Sequence, residues 1–141
     1  PNNTLRLLTG TGMGMGMGTV LYAAFNQSAW QDFDKRPALG SWRDLSLLVA
    51  TVFSVALLIL TESLFILYPV AIISVLGVLA LLTLIFSVVW MMIMRQENSF
   101  TSLKGMWVSL LAGFTLALIM IVSIDLLRLQ FTGTWGAFPM G

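Results

Sequence analysis

The chain contains neither cysteine nor histidine among its 141 residues. The lack of cysteine excludes disulfides, thiolate metal sites, iron–sulfur ligation and cysteine nucleophiles. Because histidine is the commonest metal ligand and general base, its absence excludes histidine-ligated haem, copper, zinc or non-haem iron in this chain. We therefore expect no catalytic residue, no metal site and no cofactor of the chain's own, and no enzyme activity outside a larger enzyme complex. These absences do not exclude bound lipid, or a pigment or quinone held by apolar contacts.

Charge is also scarce, because 9% of the residues are charged and 58% are hydrophobic. A soluble domain usually carries about 25% charged residues, so an aqueous fold is implausible. The net charge is +1 and the basic residues are scattered, which gives no nucleic-acid-binding footprint. The composition predicts one transmembrane domain over residues 1–141.

The longest apolar run extends over fifty residues, from Leu45 to Met94, with Glu62 as its one formal charge. Since about 20 helical residues cross the hydrocarbon core of a bilayer, the run suits two crossings. A backbone in lipid must satisfy its own hydrogen bonds, and the absence of a closed-barrel pattern favours helices. We place the turn between the two near Tyr68-Pro69, because proline ends or kinks helices.

Four apolar segments together predict an all-α integral membrane protein with four transmembrane helices in an antiparallel bundle. If the first, glycine-rich segment does not span, three crossings remain. The predicted helices cover about residues 5–25, 45–67, 70–94 and 105–127. An interfacial loop over 26–44 joins the first two, and a tail over 129–141 is expected on the membrane surface or against a partner.

Aromatic and basic residues predict the orientation. With four crossings, one interface holds four tryptophans, a residue that prefers the membrane–water boundary: Trp30, Trp42, Trp90 and Trp107. Trp135 and Tyr68 fall at the other interface. The other side carries two basic residues, Arg6 and Arg128. The Trp-rich side carries five: Lys35, Arg36, Arg43, Arg95 and Lys104. Since excess Lys and Arg marks the cytoplasmic side, both termini are expected on the non-cytoplasmic side of a bacterial inner membrane or an organellar membrane.

Five glycines alternate along the first segment: Gly10, Gly12, Gly14, Gly16 and Gly18. On a helix, Gly10, Gly14 and Gly18 share one face, and the other two lie nearly opposite. Each set is a small-xxx-small pattern that lets helix backbones approach closely, which predicts a helix-packing interface on both sides. The neighbours are either other helices of this chain or helices of a second protein or second copy. Glycines at every second position do not match phosphate-binding loops.

The glycine alternation resembles the inner helix of the rotor-ring subunit of rotary ATPases, a family with a carboxylate in its second helix. This chain has Glu62 in its predicted second helix. The chain departs from that family in its longer loop between these helices, in a carboxylate near the helix end, and in two further helices that do not repeat the first pair. The resemblance therefore extends to packing chemistry, and no function is carried over.

Two carboxylates, Glu62 and Asp125, lie inside or beside apolar segments. An ionisable residue within a membrane is a functional hypothesis by default, because a charge in lipid is costly. The two acids either form a proton- or cation-binding site or have structural partners. In the structural interpretation Asp125 pairs with Arg128, three residues further on, and Glu62 pairs with Arg6 or reaches the surface. We favour the structural interpretation, because coupling sites of transporters lie near the bilayer midplane and neither acid is clearly placed there.

These features favour a non-catalytic accessory, scaffold or assembly subunit of a larger multi-subunit membrane complex, with energy-converting complexes as one candidate class. The expected partners are membrane lipid and other membrane protein subunits, with no nucleic acid. The alternative is a small oligomeric transporter or channel that uses Glu62 and Asp125.

Overall fold

The computed structural model of the chain describes residues 3–32, 35–37 and 39–133. These residues form four α-helices: α1 (Asn3–Ala29), α2 (Trp42–Leu60), α3 (Leu64–Ile93) and α4 (Leu103–Thr132). The same residues contain no strand, and their β-type pairing is limited to an isolated bridge between Trp30 and Phe100. The prediction of an all-α chain with four helices is confirmed.

Three of these helices, α2, α3 and α4, are long and apolar enough to cross a membrane. They contain 19, 30 and 30 residues, or about 28 to 45 Å at the rise of an α-helix, against a hydrocarbon core of about 30 Å. Large apolar side chains on all three are exposed, including Phe53, Phe65 and Trp107. Exposed apolar surface on this scale marks contact with lipid or with another protein, as in an integral membrane protein. Glycine and threonine make α1 less hydrophobic.

The turn between α2 and α3 lies at Thr61-Glu62-Ser63, so the predicted turn near Tyr68-Pro69 is wrong. Glu62 has a φ of +54°, and its backbone N–H donates to the Ile59 carbonyl at 3.1 Å. Pro69 lies inside α3. A proline removes one helical hydrogen bond, which membrane helices tolerate through local adjustment, so the helix continues through it.

The C-terminal end of α4 also differs from the prediction. The helix continues to Thr132, so the first residues of the predicted tail are helical. Gly133 ends it with a φ of +66°, and its N–H donates to the Leu129 carbonyl at 2.7 Å, a left-handed cap that glycine adopts without strain. Trp135 and the rest of the predicted tail lie outside the described residues.

The most extensive helix contact in the described chain joins α3 to α4. The two backbones approach each other closely at Gly113. A Cβ at Gly113 would lie 2.5 Å from the Thr83 carbonyl oxygen and 2.6 Å from the Ser87 backbone nitrogen, and would overlap the Ser87 hydroxyl. That hydroxyl donates to the Thr83 carbonyl at 2.6 Å, within its own helix. Small residues thus allow close packing in the absence of a hydrophobic driving force, as is usual for membrane helices.

Candidate functional site

The C-terminal end of α1 is bound by the loop between α3 and α4. The backbone N–H of Asn98 donates to the Ser28 carbonyl at 2.9 Å, and that of Phe100 donates to the Ala29 carbonyl at 3.3 Å. In return, the N–H of Gln31 donates to the Phe100 carbonyl at 3.0 Å. These bonds satisfy carbonyls that a helix end leaves without an intrahelical partner, and they fix this end of α1 against the rest of the chain.

Asn98 contributes its side chain as well as its backbone to this contact. Its φ is +54°, in the left-handed region that asparagine adopts more readily than most residues. With its amide oriented so that the nitrogen faces two carbonyls, it donates to Gln27 and, at 3.1 Å, to Trp30. Asn98 therefore combines a strained backbone position with two hydrogen bonds to the end of α1.

An apolar cluster lies next to this hydrogen-bonded loop. Ala29, Met91 and Met106 are fully buried, one each from α1, α3 and α4. Partly buried apolar side chains pack against them: Phe25, Trp30, Phe100 and Leu110. Because the cluster joins α1, α3 and α4, it holds the C-terminal end of α1, while the glycine segment lies around the middle of that helix.

Replacing Asn98 with alanine is expected to loosen the end of α1. The change removes both amide hydrogen bonds and places a residue with a Cβ and no compensating polar group at positive φ, for a combined cost of about 1–3 kcal/mol. Hydrogen exchange at the Gln31 amide should become faster while the amides in the middle of α4 keep their rates. Asn98→Gly should give a smaller effect, because glycine tolerates the backbone angle, and Ser99→Ala serves as the control. Equal exchange in all four proteins would contradict the assigned role.

The glycine segment of α1 has no comparable contact within the described residues. At Gly10, Gly12, Gly14, Gly16 and Gly18, a Cβ would meet no other atom within 4 Å. Neither glycine face therefore packs closely against another helix of the described chain. Gly113 differs, because backbone atoms of α3 occupy the space that a side chain there would fill.

Each glycine face instead opens onto a groove. The α1–α2 groove has a volume of about 600 Å³ and is bounded on α1 by residues that include Gly14 and Gly18, with Leu48 and Val52 on α2. The α1–α3 groove has a volume of about 880 Å³, and Gly12 lines it on α1. Its other side is formed by four apolar residues of α3: Val78, Leu81, Leu82 and Ile85. Both volumes fall in the range of about 300–1,000 Å³ that is usual for small-molecule sites.

The threonine hydroxyls beside the α1–α2 groove donate within their own helices. Thr11 donates to the Leu7 carbonyl at 2.8 Å, and Thr51 donates to the Leu47 carbonyl at 2.8 Å. A hydroxyl that donates within its own helix offers neighbours an acceptor and a methyl group. These two threonines therefore offer an occupant of the groove an acceptor and a methyl group but no free donor.

The two predicted carboxylates lie near the ends of elements. Glu62 is exposed in the α2–α3 turn, outside both helices, and not within the second helix as predicted. Asp125 is exposed in the last third of α4, and Arg128 is half-buried. Arg6 is exposed near the start of α1. The predicted pairs of Asp125 with Arg128 and of Glu62 with Arg6 stay predictions.

Comparison of the chain with known protein families, with characterised proteins and with solved structures found no match in any of the three. Sequence reasoning identified the glycine segment but missed the loop that binds the other end of α1. The only local signal was an asparagine in a short polar loop, which is typical of many turns.

Proposed function

We propose that this protein is a non-catalytic accessory, scaffold or assembly subunit of a larger multi-subunit membrane complex, and that α1 binds other membrane subunits. The supporting observation is the open space at every glycine from Gly10 to Gly18, against the filled space at Gly113. A glycine within a helix costs about 1 kcal/mol relative to alanine. Close contact with another helix offsets that cost, and the described residues provide no such contact at these five positions. A partner helix provides it on the face that carries Gly10, Gly14 and Gly18.

The proposal includes a topology. α1 crosses the membrane with the other three helices, neighbouring helices are antiparallel, and both termini lie on the non-cytoplasmic side of a bacterial inner or organellar membrane. About 20 residues of α1, or about 30 Å, separate Ala29 from Gly10, so the glycine segment lies within the hydrocarbon core. Energy-converting complexes are one class to which such a subunit would belong.

Transport through Glu62 and Asp125 has no supporting observation in the described residues. The charged residues of the four helices lie in their terminal thirds: Arg6, Arg43, Asp44, Lys104, Asp125 and Arg128. A coupling site is usually found near the middle of the membrane. The transporter alternative is therefore kept as an outcome of the test that follows.

The test uses the protein in its own membrane. We expect the chain, extracted in a mild detergent, to migrate on a native gel with a much larger assembly, whose other members mass spectrometry will identify. Migration as a monomer or small homo-oligomer would contradict the proposal. Measurement of ion flux with Glu62→Gln would then test the transporter alternative.

Site-specific crosslinking tests the surface itself. The chain has no native cysteine, so a single Gly14→Cys carries a short photoactivated crosslinker without background. Gly77→Cys on α3 is the matched control, because a Cβ at Gly77 also meets nothing within 4 Å. We expect Gly14→Cys to crosslink to another protein and Gly77→Cys to yield little or none. Equal yields from both would contradict a partner surface on α1.

A further inference from the structure

We propose that the α1–α3 groove binds an acyl chain of a phospholipid whose phosphate group is held by Arg6. This inference rests on one part of the proposed function, that α1 crosses the membrane. It does not require a protein partner.

The groove suits a hydrocarbon chain in shape and chemistry. Its lining residues on both helices are apolar or glycine, so an occupant finds no side-chain hydrogen-bonding group there. From Gly12 to Ala24 it extends along about 18 Å of α1, slightly more than one leaflet of a hydrocarbon core about 30 Å thick. The missing side chains at Gly12 and Gly16 leave this space open.

Arg6 lies in line with the groove at its headgroup end. Because α1 is a continuous helix from Asn3 to Ala29, spacing determines which residues share a face. Met13 and Met17, which line the groove, follow Arg6 by about two and three helical turns and lie close to the same face. Arg6 is exposed, and its Cα lies about 10 Å before that of Met13 along the helix axis.

The depth of Arg6 also matches that of a lipid phosphate. Measured back from Ala29, the far boundary of the hydrocarbon core falls near Gly10, and Arg6 is about one helical turn beyond it. Arginine binds phosphate oxygens through two parallel N–H donors. A phospholipid anchored there has its acyl chain directed along the groove, where burial of the chain leaves no polar group without a partner.

The α1–α2 groove lacks this charge and supplies an internal control. Two helical turns before Gly14, on the same face, the chain has Leu7, and about one turn earlier it has Asn3. Neither side chain carries a charge for a phosphate. The α1–α3 groove thus has a cation at its headgroup end and the α1–α2 groove has none. A phosphate group, which such a cation binds, is what distinguishes a phospholipid from other apolar occupants.

The experiment titrates the purified full chain in mild detergent with phosphatidylglycerol and counts bound lipids by native mass spectrometry. We expect one saturable lipid. Its affinity should fall about tenfold in Arg6→Gln, which removes a charge-assisted contact, and in Gly16→Leu, which fills the groove. Arg43→Gln and Gly14→Leu, the matched changes elsewhere, should bind within about twofold of the unaltered protein.

A diacylglycerol with the same acyl chains separates the phosphate from the groove. It should bind the unaltered protein as weakly as phosphatidylglycerol binds Arg6→Gln, and Arg6→Gln should not weaken it further. Unchanged binding of phosphatidylglycerol in Arg6→Gln or in Gly16→Leu would overturn the proposal. So would equal binding of the two lipids.

The outcomes also separate this proposal from the assembly proposal. The titration uses the isolated chain, so a lost partner does not affect its readout. An intact large assembly with no saturable lipid would overturn the lipid site alone. Saturable lipid binding by a chain that migrates as a monomer from its own membrane would overturn the assembly proposal alone.

Discussion

Gly113→Ala is expected to weaken the α3–α4 contact and to lower the free energy of unfolding by about 1–3 kcal/mol, or by more if the helices cannot separate. The added methyl group would lie 2.5 Å from the Thr83 carbonyl oxygen and 2.6 Å from the Ser87 backbone nitrogen. Both are backbone atoms, so a change of rotamer gives no relief and one helix must move. That movement would open the contact around the buried residues Ala117 and Ser109 of α4.

The measurement is unfolding by denaturant in detergent micelles. Gly77→Ala is the matched control, because the same methyl group there meets nothing within 4 Å; it should leave stability unchanged or raise it by up to about 1 kcal/mol through helix propensity. Ser87→Ala combined with Gly113→Ala should not restore stability, since the backbone atoms of α3 remain in place. Recovery in the double variant would show that the hydroxyl alone caused the clash, and equal stability of both alanine variants would contradict the close approach.

Hydrophobicity predicted α2, α3 and α4, because a helix long and apolar enough to cross a membrane satisfies its backbone through local hydrogen bonds. The predicted position of the α2–α3 turn is wrong because Pro69 lies inside α3 and does not end a helix. The better signal was three consecutive polar residues, Thr61-Glu62-Ser63, within an otherwise apolar run. Membrane helices tolerate one proline through local adjustment, while three polar groups favour the interface.

The contacts between helices could not be predicted in the same way. Gly113 and Gly77 each lie between apolar residues in the interior of a helix, and the sequence around them does not distinguish the one at a helix crossing. That distinction depends on which faces of α3 and α4 meet, a property of the packed chain. The hydrogen bonds of Asn98 to the end of α1 are likewise long-range in sequence.

Gly14→Leu is expected to disrupt assembly while leaving the isolated chain folded. No atom of another element lies within 4 Å of a Cβ at Gly14, and Gly14 lines the α1–α2 groove of about 600 Å³, so the chain itself has room for the leucine side chain. Leucine is also the better helix former by up to about 1 kcal/mol, so the stability of the isolated chain should hold or rise. A partner helix packed against the glycine face would be displaced, because close backbone approach requires a small residue there.

The readout is the ratio of chain that migrates with the large assembly to chain that migrates alone on a native gel, which should fall by about tenfold, the change expected from about 1.4 kcal/mol of lost binding. Val49→Leu, on the exposed surface of α2, should leave that ratio unchanged, as should Gly77→Leu. A chain that is stable alone and absent from the assembly separates partner binding from folding, which Gly113→Ala does not do. Equal co-migration of Gly14→Leu and Val49→Leu would mean that the open glycine face of α1 is not where a partner binds.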